Sequence, residues 1–244
     1  MAGGLFEFYV LAKKRDLKPD AGMGYLGAAV LFIIFYFNNP SRLADLSMLQ
    51  LIPPVLIVFT AATMIAATLR GAPFDKMMAS TGTTILGVLY VVLTGGHLVA
   101  VRIGFRPALA ADLLSFFFLV LMGSDTGAYY VGRAIGKHKL APSISPGKTW
   151  EGVFGGLVAG LLMATIAHYW FFRELSLKAA LPLAGVMIII GILGDLTESA
   201  LKRAAGAKDA ANILPGHGGL LDRLDSLLFN APVLYYFALI YFSE

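Results

Sequence analysis

Acidic, hydroxyl and basic side chains recur at helical spacing in one polar segment of an otherwise apolar sequence. Asp195, Ser199 and Lys202 follow the spacing i, i+4, i+7, which places them on one face of a helix, and Glu198 borders that face. Acidic residues inside an apolar run are costly in a membrane and usually serve a function. This face could supply a metal-binding carboxylate and a phosphate-binding ammonium. The structural alternative is an internal salt bridge between two helices.

A glycine-rich stretch follows this predicted helix. Pro215, Gly216, Gly218 and Gly219 exclude a helix and predict a sharp loop in which backbone groups approach a ligand closely. Exposed N–H groups in such a loop can bind phosphate oxygens. His217 lies between the glycines, as a substrate-binding residue or as a hydrogen-bonding loop residue.

Two more carboxylates begin the last apolar run. Asp222 and Asp225 are spaced i, i+3, which also suits the start of a helix, where acidic side chains are stabilising. With Asp195 they offer the hard oxygen ligands that Mg²⁺ uses together with substrate phosphates. Four nearby cations could bind those phosphates: Lys202, Arg203, Lys208 and Arg223. The combination predicts a site for a phosphorylated or nucleotide substrate with Mg²⁺.

A second polar cluster spans residues 124–152 and contains Asp125 and Lys148. Its Gly147-Lys148-Thr149 piece resembles part of a P-loop, but Pro142 stands where that motif requires its first glycine. We therefore interpret Lys148 as a separate phosphate-binding cation. The alternative is a lysine that extends from the membrane interface toward water.

The elements that must position these residues are apolar helices. The chain of 244 residues is 58% hydrophobic and 14% charged, whereas soluble domains carry about 25% charged residues. A helix crosses the hydrocarbon core with about 20 apolar residues. We predict an all-α, polytopic integral membrane protein with a short N-terminal apolar segment and a single transmembrane catalytic domain, 1–244. Seven full spans are expected: 22–37, 48–69, 77–103, 109–131, 152–172, 177–201 and 226–242.

The distribution of basic residues predicts the orientation of these spans. Fourteen of the 19 Lys and Arg residues fall in alternate connections, which places those connections in the cytoplasm. Segments 132–151 and 202–225 are among them, so we expect the site on the cytoplasmic side of the cell (inner) membrane. The net charge of +4 then reflects topology, and no nucleic-acid partner is expected. The absence of cysteine excludes disulfides and thiol catalysis.

These residues resemble a known family. The run Ser199-x-Leu201-Lys-Arg-x4-Lys208-Asp209-x5-Pro215-x-His217-Gly-Gly-x2-Asp222-Arg223-x-Asp225 is similar to the signature of phosphatidate cytidylyltransferases, or CDP-diacylglycerol synthases. Residues 124–129 and 144–152 also look like that family. The resemblance implies that CTP and phosphatidate give CDP-diacylglycerol and pyrophosphate. It further implies an all-helical homodimer among membrane lipids, dependent on Mg²⁺ and assisted by a monovalent cation such as K⁺.

The resemblance also implies residue roles. Asp195 and Asp222 would hold the metal, Lys148 and Arg223 would neutralise the triphosphate, and three residues would line the metal site or contact phosphates: Ser199, Lys202 and Asp225. We expect catalytic roles for Asp195, Lys202, Asp222 and Asp225. We also expect further substrate contacts from Asp125, Arg203, Lys208, His217, Gly218 and Gly219. The sequence departs from the family pattern in two places. Gly147 stands where a lysine is common, and the family's usual hairpin before residues 7–9 does not precede them here, as expected of a truncated chain or a late start.

Two other functions remain open from the residues. A CTP-dependent polyprenol or phytol kinase would release CDP and a phosphorylated lipid instead of pyrophosphate. An ion-coupled transporter would use Asp125 and Asp195 as coupling sites. A transporter would also show broken helices in repeated halves, a pattern that this sequence lacks.

Overall fold

Helices form most of the regular structure in the computed structural model, which describes residues 1–37, 48–71, 74–207 and 218–242. They include a 3₁₀ turn (Met48–Leu51) and a π-helical turn (Val88–Leu93) besides the α-helices. The predicted all-α class is confirmed. In chain order the α-helices are α1 (Ala2–Lys13), α2 (Ala21–Tyr36), α3 (Ile52–Leu69), α4 (Phe74–Gly87), α5 (Thr94–Gly104), α6 (Pro107–Ile135), α7 (Trp150–Trp170), α8 (Leu177–Ala204) and α9 (Leu221–Tyr241).

Six of the described helical segments are long and apolar enough to cross a membrane, so the chain is a multi-pass membrane protein. They are Leu49–Leu69, Phe74–Gly104, Pro107–Ile135, Trp150–Trp170, Leu177–Ala204 and Leu221–Tyr241. The first predicted span, 22–37, corresponds to α2, an apolar helix of 16 residues. Because about 20 residues are needed to cross the hydrocarbon core, the predicted count of seven full spans is not confirmed.

The third predicted span, 77–103, is irregular at a different place from its paired glycines. Gly95 and Gly96 predict a break or tilt, but the irregular turn is the π-helical Val88–Leu93, just before them. Gly96 instead leaves room for the ring of Phe35 in α2, since an added Cβ atom would clash with that ring. The glycine is needed for close packing between helices, and α5 continues through it.

The contacts between residues divide the chain into two compact units, and each unit combines two separate stretches of sequence. Unit 1 contains Met1–Phe105 and Leu201–Leu224, and unit 2 contains Arg106–Ala200 and Asp225–Glu244. The boundary therefore falls within α8 and again within α9. The single catalytic domain expected from the sequence stays a prediction.

In unit 1 the short N-terminal apolar segment forms α1, a buried helix. Leu5 is fully buried and Phe8 is 5% exposed. The Tyr9 hydroxyl donates a 2.9 Å hydrogen bond to the carbonyl oxygen of Thr84. The ring of Tyr9 lies against Gly24 in α2, where a Cβ atom would collide with it. These contacts make α1 a central packing element of unit 1.

In unit 2 the close approach of α6 and α7 forms the core beside the polar residues. A Cβ atom added at Gly156 would lie 2.9 Å from the carbonyl oxygen of Ser124, and one at Gly152 would lie 2.8 Å from that of Ala128. The two helices are thus in backbone contact, as small residues permit in membranes. Aromatic packing closes the other end, where the rings of Phe116 and Phe172 have centroids 6.1 Å apart.

A β-hairpin occupies the connection between α6 and α7. Its strands, β1 (Lys139–Ala141) and β2 (Ser145–Thr149), are antiparallel, with Lys139 opposite Thr149. The sequence analysis missed these strands because they are short and lack an alternating apolar pattern. Thr149 also begins α7, since its hydroxyl accepts a hydrogen bond from the N–H of Gly152 at 3.1 Å.

Candidate active site

Lys148 lies near the end of β2, on a hairpin whose base is held by Glu151. The Glu151 carboxylate accepts the backbone N–H of Lys137 at 3.1 Å and that of His138 at 3.2 Å. It also lies 2.6 Å from Nδ1 of His138. Glu151 belongs to the first turn of α7, where a carboxylate is favoured. The segment that leads into β1 is therefore fixed to the first turn of α7.

Lys148 and Asp195 form an ion pair in unit 2. Lys148 Nζ lies 2.5 Å from Asp195 Oδ2, and their side chains are 23% and 38% exposed. Ser199, one turn further along α8, directs its hydroxyl toward Asp195 Oδ1 at 3.4 Å. Asp125 on α6 interacts electrostatically with both members of the pair. The structure thus brings four of the predicted site residues together around one carboxylate.

These residues surround a partly open cavity of about 600 Å³ within unit 2. Its walls come from α6, β2, α7 and α8, and it has room for a phosphate group with part of a larger substrate. The predicted residues on the wall are Asp125, Lys148 and Asp195.

Tyr129 and Arg133 also line this cavity, and the sequence analysis gave neither a role. Arg133 Nη1 donates a 2.8 Å hydrogen bond to the Tyr129 hydroxyl. The sequence did contain a signal for them, because Asp125, Tyr129 and Arg133 are spaced i, i+4, i+8 and share one face of α6. Arg133 therefore adds a second cation to the cavity wall, beside Lys148.

The Gly147-Lys148-Thr149 piece lies in an antiparallel strand. A P-loop instead connects a strand of a parallel sheet to a helix and wraps around the phosphates. The structure thus agrees with the interpretation of Lys148 as a separate cation, although its role toward phosphate stays a prediction.

A second lysine–aspartate pair lies in unit 1. Lys202 Nζ donates to Asp222 Oδ1 at 2.6 Å, and each side chain is only 14% exposed. The other carboxylate oxygen of Asp222 accepts the N–H of Gly219 at 2.8 Å. Gly218 has a positive φ of 78°, and a Cβ atom there would lie 3.1 Å from Asp222 Oδ2. Gly218 and Gly219 thus permit the backbone to approach this carboxylate.

Lys202 lies in the last turn of α8, and a glycine in the left-handed conformation ends this helix. Gly206 has a positive φ of 67°, and Ala207 N–H donates to the carbonyl oxygen of Lys202 at 2.9 Å. This is the left-handed glycine ending common at helix C-termini. The Arg203 side chain extends past the end of α8, where Nη1 donates to the carbonyl oxygen of Ala207 at 3.3 Å.

Glu7 is a buried charged residue at the same place in unit 1, and the sequence analysis missed it. Its two carboxylate oxygens accept the backbone N–H groups of Leu220 at 2.8 Å and Leu221 at 2.6 Å. The residue is fully buried. A lone acidic residue within an apolar run was the signal that could have identified it.

The remaining predicted residues are less closely gathered. Arg223 is exposed on the first turn of α9. The Asp225 carboxylate accepts the N–H of Ser226 at 2.6 Å, and the Asp225 carbonyl oxygen lies against Gly194 of α8 within unit 2. Lys208 and His217 lie outside the described residues.

The predicted metal ligands fall in different units. Asp195 belongs to unit 2 and Asp222 to unit 1, so their sharing of one metal stays a prediction. In the part of the chain that the structure describes, no three His, Asp or Glu side chains are grouped as a metal site would require.

Comparison with known proteins decides the family. Residues 1–241 match the sequence profile of the Cytidylyltransferase family. The chain belongs to this family. It is similar to the phosphatidate cytidylyltransferase of Bacillus subtilis, with 34% identity over 252 residues that cover 96% of this chain and 85% of the relative. The predicted resemblance is therefore confirmed.

Two further relatives match in a shorter region. The phosphatidate cytidylyltransferase of Haemophilus influenzae is 46% identical over 129 residues, which cover 51% of this chain and 45% of the relative. That of Pseudomonas aeruginosa is 51% identical over 126 residues, covering 51% of this chain and 46% of the relative. In these two comparisons, the matched part of this chain spans about half the length of the relative.

Proposed function

We propose that the protein is a phosphatidate cytidylyltransferase that transfers CMP from CTP to phosphatidate and gives CDP-diacylglycerol and pyrophosphate. The observation that carries the proposal is the Lys148–Asp195 ion pair, 2.5 Å apart, at a cavity of about 600 Å³. A carboxylate from the membrane-spanning helix α8 and an ammonium from the hairpin meet at one cavity, which suits an anionic lipid substrate with a nucleotide.

The reaction joins two anions, which explains why cations matter more than a general base. A phosphate oxygen of phosphatidate attacks the α-phosphorus of CTP, a new O–P bond forms, and the bond from the α-phosphorus to the bridging oxygen breaks. Pyrophosphate leaves with that bond's electron pair. Because the attacking phosphate is already an anion, the main barrier is repulsion between phosphates. We propose that Lys148 and Arg133 offset this repulsion from the cavity wall.

The aspartates of both lysine pairs have the chemistry of Mg²⁺ ligands. Asp195 and Asp222 present hard carboxylate oxygens, and Ser199 adds a hydroxyl beside Asp195. We propose each of them as a ligand, with Asp225 and a monovalent cation such as K⁺ in supporting roles. Bound Mg²⁺ would neutralise negative charge on the phosphates. Lys148 and Lys202 would then exchange their carboxylate partners for phosphate oxygens, to which their ammonium groups would donate hydrogen bonds.

The proposed location is the inner membrane, with the site facing the cytoplasm, where CTP is present. The concentration of basic residues in alternate connections supports this orientation. Phosphatidate would keep its acyl chains in the bilayer while its phosphate reaches the polar residues. The homodimer implied by the family resemblance is part of the same proposal.

A pair of lysine variants tests the role of the cavity. The purified protein in lipid nanodiscs is given CTP, phosphatidate and Mg²⁺, and the release of pyrophosphate and the formation of CDP-diacylglycerol are measured. We expect Lys148→Ala to lower turnover by about 10²-fold, the scale for removing one electrostatic group from a reaction site. Lys139→Ala, an exposed lysine on the same hairpin, is the matched control and should retain turnover. Equal turnover in the two variants would exclude this role of Lys148. Release of CDP instead of pyrophosphate would identify a lipid kinase.

A further inference from the structure

The start of α9 is held by carboxylates on three successive backbone N–H groups. Gly219 N–H donates to Asp222, and the N–H groups of Leu220 and Leu221 donate to Glu7. We propose that Glu7 is a positioning residue, which fixes the first turn of α9 and thereby places the Asp222 carboxylate against Lys202. This inference rests on the proposed function, since it assigns Glu7 a part in the same reaction.

The burial of Glu7 indicates that its carboxylate serves this purpose. A charged carboxylate without water is costly unless hydrogen bonds replace the lost hydration. Glu7 is fully buried, and each of its two oxygens accepts a separate backbone N–H, at 2.8 and 2.6 Å. Both donors belong to the start of a helix, where the helix dipole also favours a negative charge. Glu7 thus satisfies, from a distant part of the sequence, N–H groups at the start of α9 that have no partner within the helix.

The connection from Glu7 to the lysine pair is short. Asp222 follows Leu221 directly, so the backbone that Glu7 holds is the backbone that carries the Asp222 side chain. The carboxylate of Asp222 is divided between Lys202 Nζ at 2.6 Å and Gly219 N–H at 2.8 Å. A shift of the first turn of α9 by a fraction of an ångström would change both distances. Glu7 therefore acts on the geometry of Asp222 without contact with the substrate.

The position of Glu7 is itself fixed by α1. Leu5 is fully buried on the same helix, and Tyr9 is hydrogen-bonded to the Thr84 carbonyl oxygen at 2.9 Å. A carboxylate on such an immobilised helix can hold the start of α9 in one place. A purely structural residue at position 7 would contribute to stability only, and this difference can be measured.

The test compares Glu7→Gln with a core variant of matched stability. Glu7→Gln keeps the size of the side chain but places an amide NH₂ group opposite one of the two backbone N–H donors. Leu31→Ala, at a buried residue of α2 in the same unit, should lower stability and leaves the carboxylates that hold the first turn of α9 unchanged. In lipid nanodiscs, well below both melting temperatures, kcat, KM for CTP and the Mg²⁺ concentration for half-maximal rate are measured. Amide hydrogen exchange is followed at Leu220 and Leu221.

We expect Glu7→Gln to lower kcat at least tenfold, to raise the Mg²⁺ concentration for half-maximal rate several-fold and to speed exchange at Leu220 and Leu221. Leu31→Ala should leave all three values unchanged. Glu7→Asp keeps the charge on a shorter side chain and should recover part of kcat. If Glu7→Gln does not fold, the same measurements on Glu7→Asp test the positioning role of Glu7.

The kinetic measurements would overturn the inference in either of two cases: wild-type kcat and Mg²⁺ dependence in the Glu7 variant, or equal losses in the Glu7 and Leu31 variants. The exchange measurement separates this inference from the proposed function. If the wild-type protein did not convert CTP and phosphatidate, the proposed function would fail, whereas unchanged exchange at Leu220 and Leu221 in the Glu7 variant would refute the positioning itself.

Discussion

Substitution of Gly156 by alanine tests the backbone contact between α6 and α7, which forms a wall of the unit 2 cavity. A Cβ atom at Gly156 would lie 2.9 Å from the carbonyl oxygen of Ser124, closer than such atoms approach in well-packed proteins. Because a backbone oxygen cannot rotate away, α7 must move from α6. Asp125 follows Ser124 directly, so the movement reaches the residue that interacts with Lys148 and Asp195.

The expected magnitude follows from two opposing effects. Overpacking costs about 1–3 kcal/mol, whereas replacing a helical glycine by alanine gains about 1 kcal/mol in helix propensity. Gly185→Ala is the matched control, since no atom of the described residues lies within 4 Å of a Cβ atom placed there. The propensity gain is common to both variants and cancels in the comparison. The difference in unfolding free energy is therefore about 1–3 kcal/mol, with Gly156→Ala the less stable.

The assay measures the melting temperature of each variant in the same detergent, together with turnover of CTP and phosphatidate. A difference of 1 kcal/mol shifts the melting temperature by about 2–4 °C for a chain of this size. Gly156→Ala should melt at least about 2 °C below Gly185→Ala and should have lower turnover. Equal melting temperatures and equal turnover would refute the reasoning, because they would show that α6 and α7 tolerate a methyl group at their contact.

Two further predictions concern the contacts that hold the site residues. Lys202→Ala removes the ammonium from the Asp222 carboxylate, which is 14% exposed, so we expect a loss of up to about 3 kcal/mol, the lower end for a fully buried pair. The double variant Lys202→Ala, Asp222→Ala should lose clearly less than the sum of the single variants. Additive losses in thermal unfolding would contradict the coupling. Thr149→Val removes the hydroxyl that accepts the Gly152 N–H at the start of α7, so we expect a loss of about 1 kcal/mol in unfolding free energy. Thr165→Val is the control, because the Thr165 hydroxyl bonds within α7. The prediction requires a smaller loss in this control.

The sequence predicted the helices because apolar runs of sufficient length leave little choice of structure in a membrane. It also placed Asp195 and Ser199 on one face of α8, and the structure shows their side chains 3.4 Å apart. Helical periodicity is a local property, so neighbours within one helix can be predicted from spacing alone. The family resemblance rested on the same local patterns.

Contacts between distant segments could not be predicted in this way. Lys148 meets Asp195 only because the hairpin folds back over α8, and Glu7 meets Leu221 only because α1 packs in unit 1. Neither contact has a periodic signal, since each depends on the tertiary arrangement of separate helices. The hairpin was missed for a related reason: its strands are stabilised by Glu151 and by the flanking helices, and their own sequence has little strand character.

The central claim is that Asp195 serves cytidylyl transfer to a lipid phosphate, and one measurement tests it most directly. Purified protein in nanodiscs is supplied with CTP and phosphatidate, with and without Mg²⁺, and pyrophosphate and CDP-diacylglycerol are both quantified. Asp195→Asn is compared with Asp112→Asn, an acidic residue of α6 outside the proposed site. We predict that the wild type forms equal amounts of the two products, and only when Mg²⁺ is present. Turnover should fall by about 10²-fold or more in Asp195→Asn. Asp112→Asn should keep wild-type turnover. Near-normal, Mg²⁺-dependent turnover in Asp195→Asn would contradict the account.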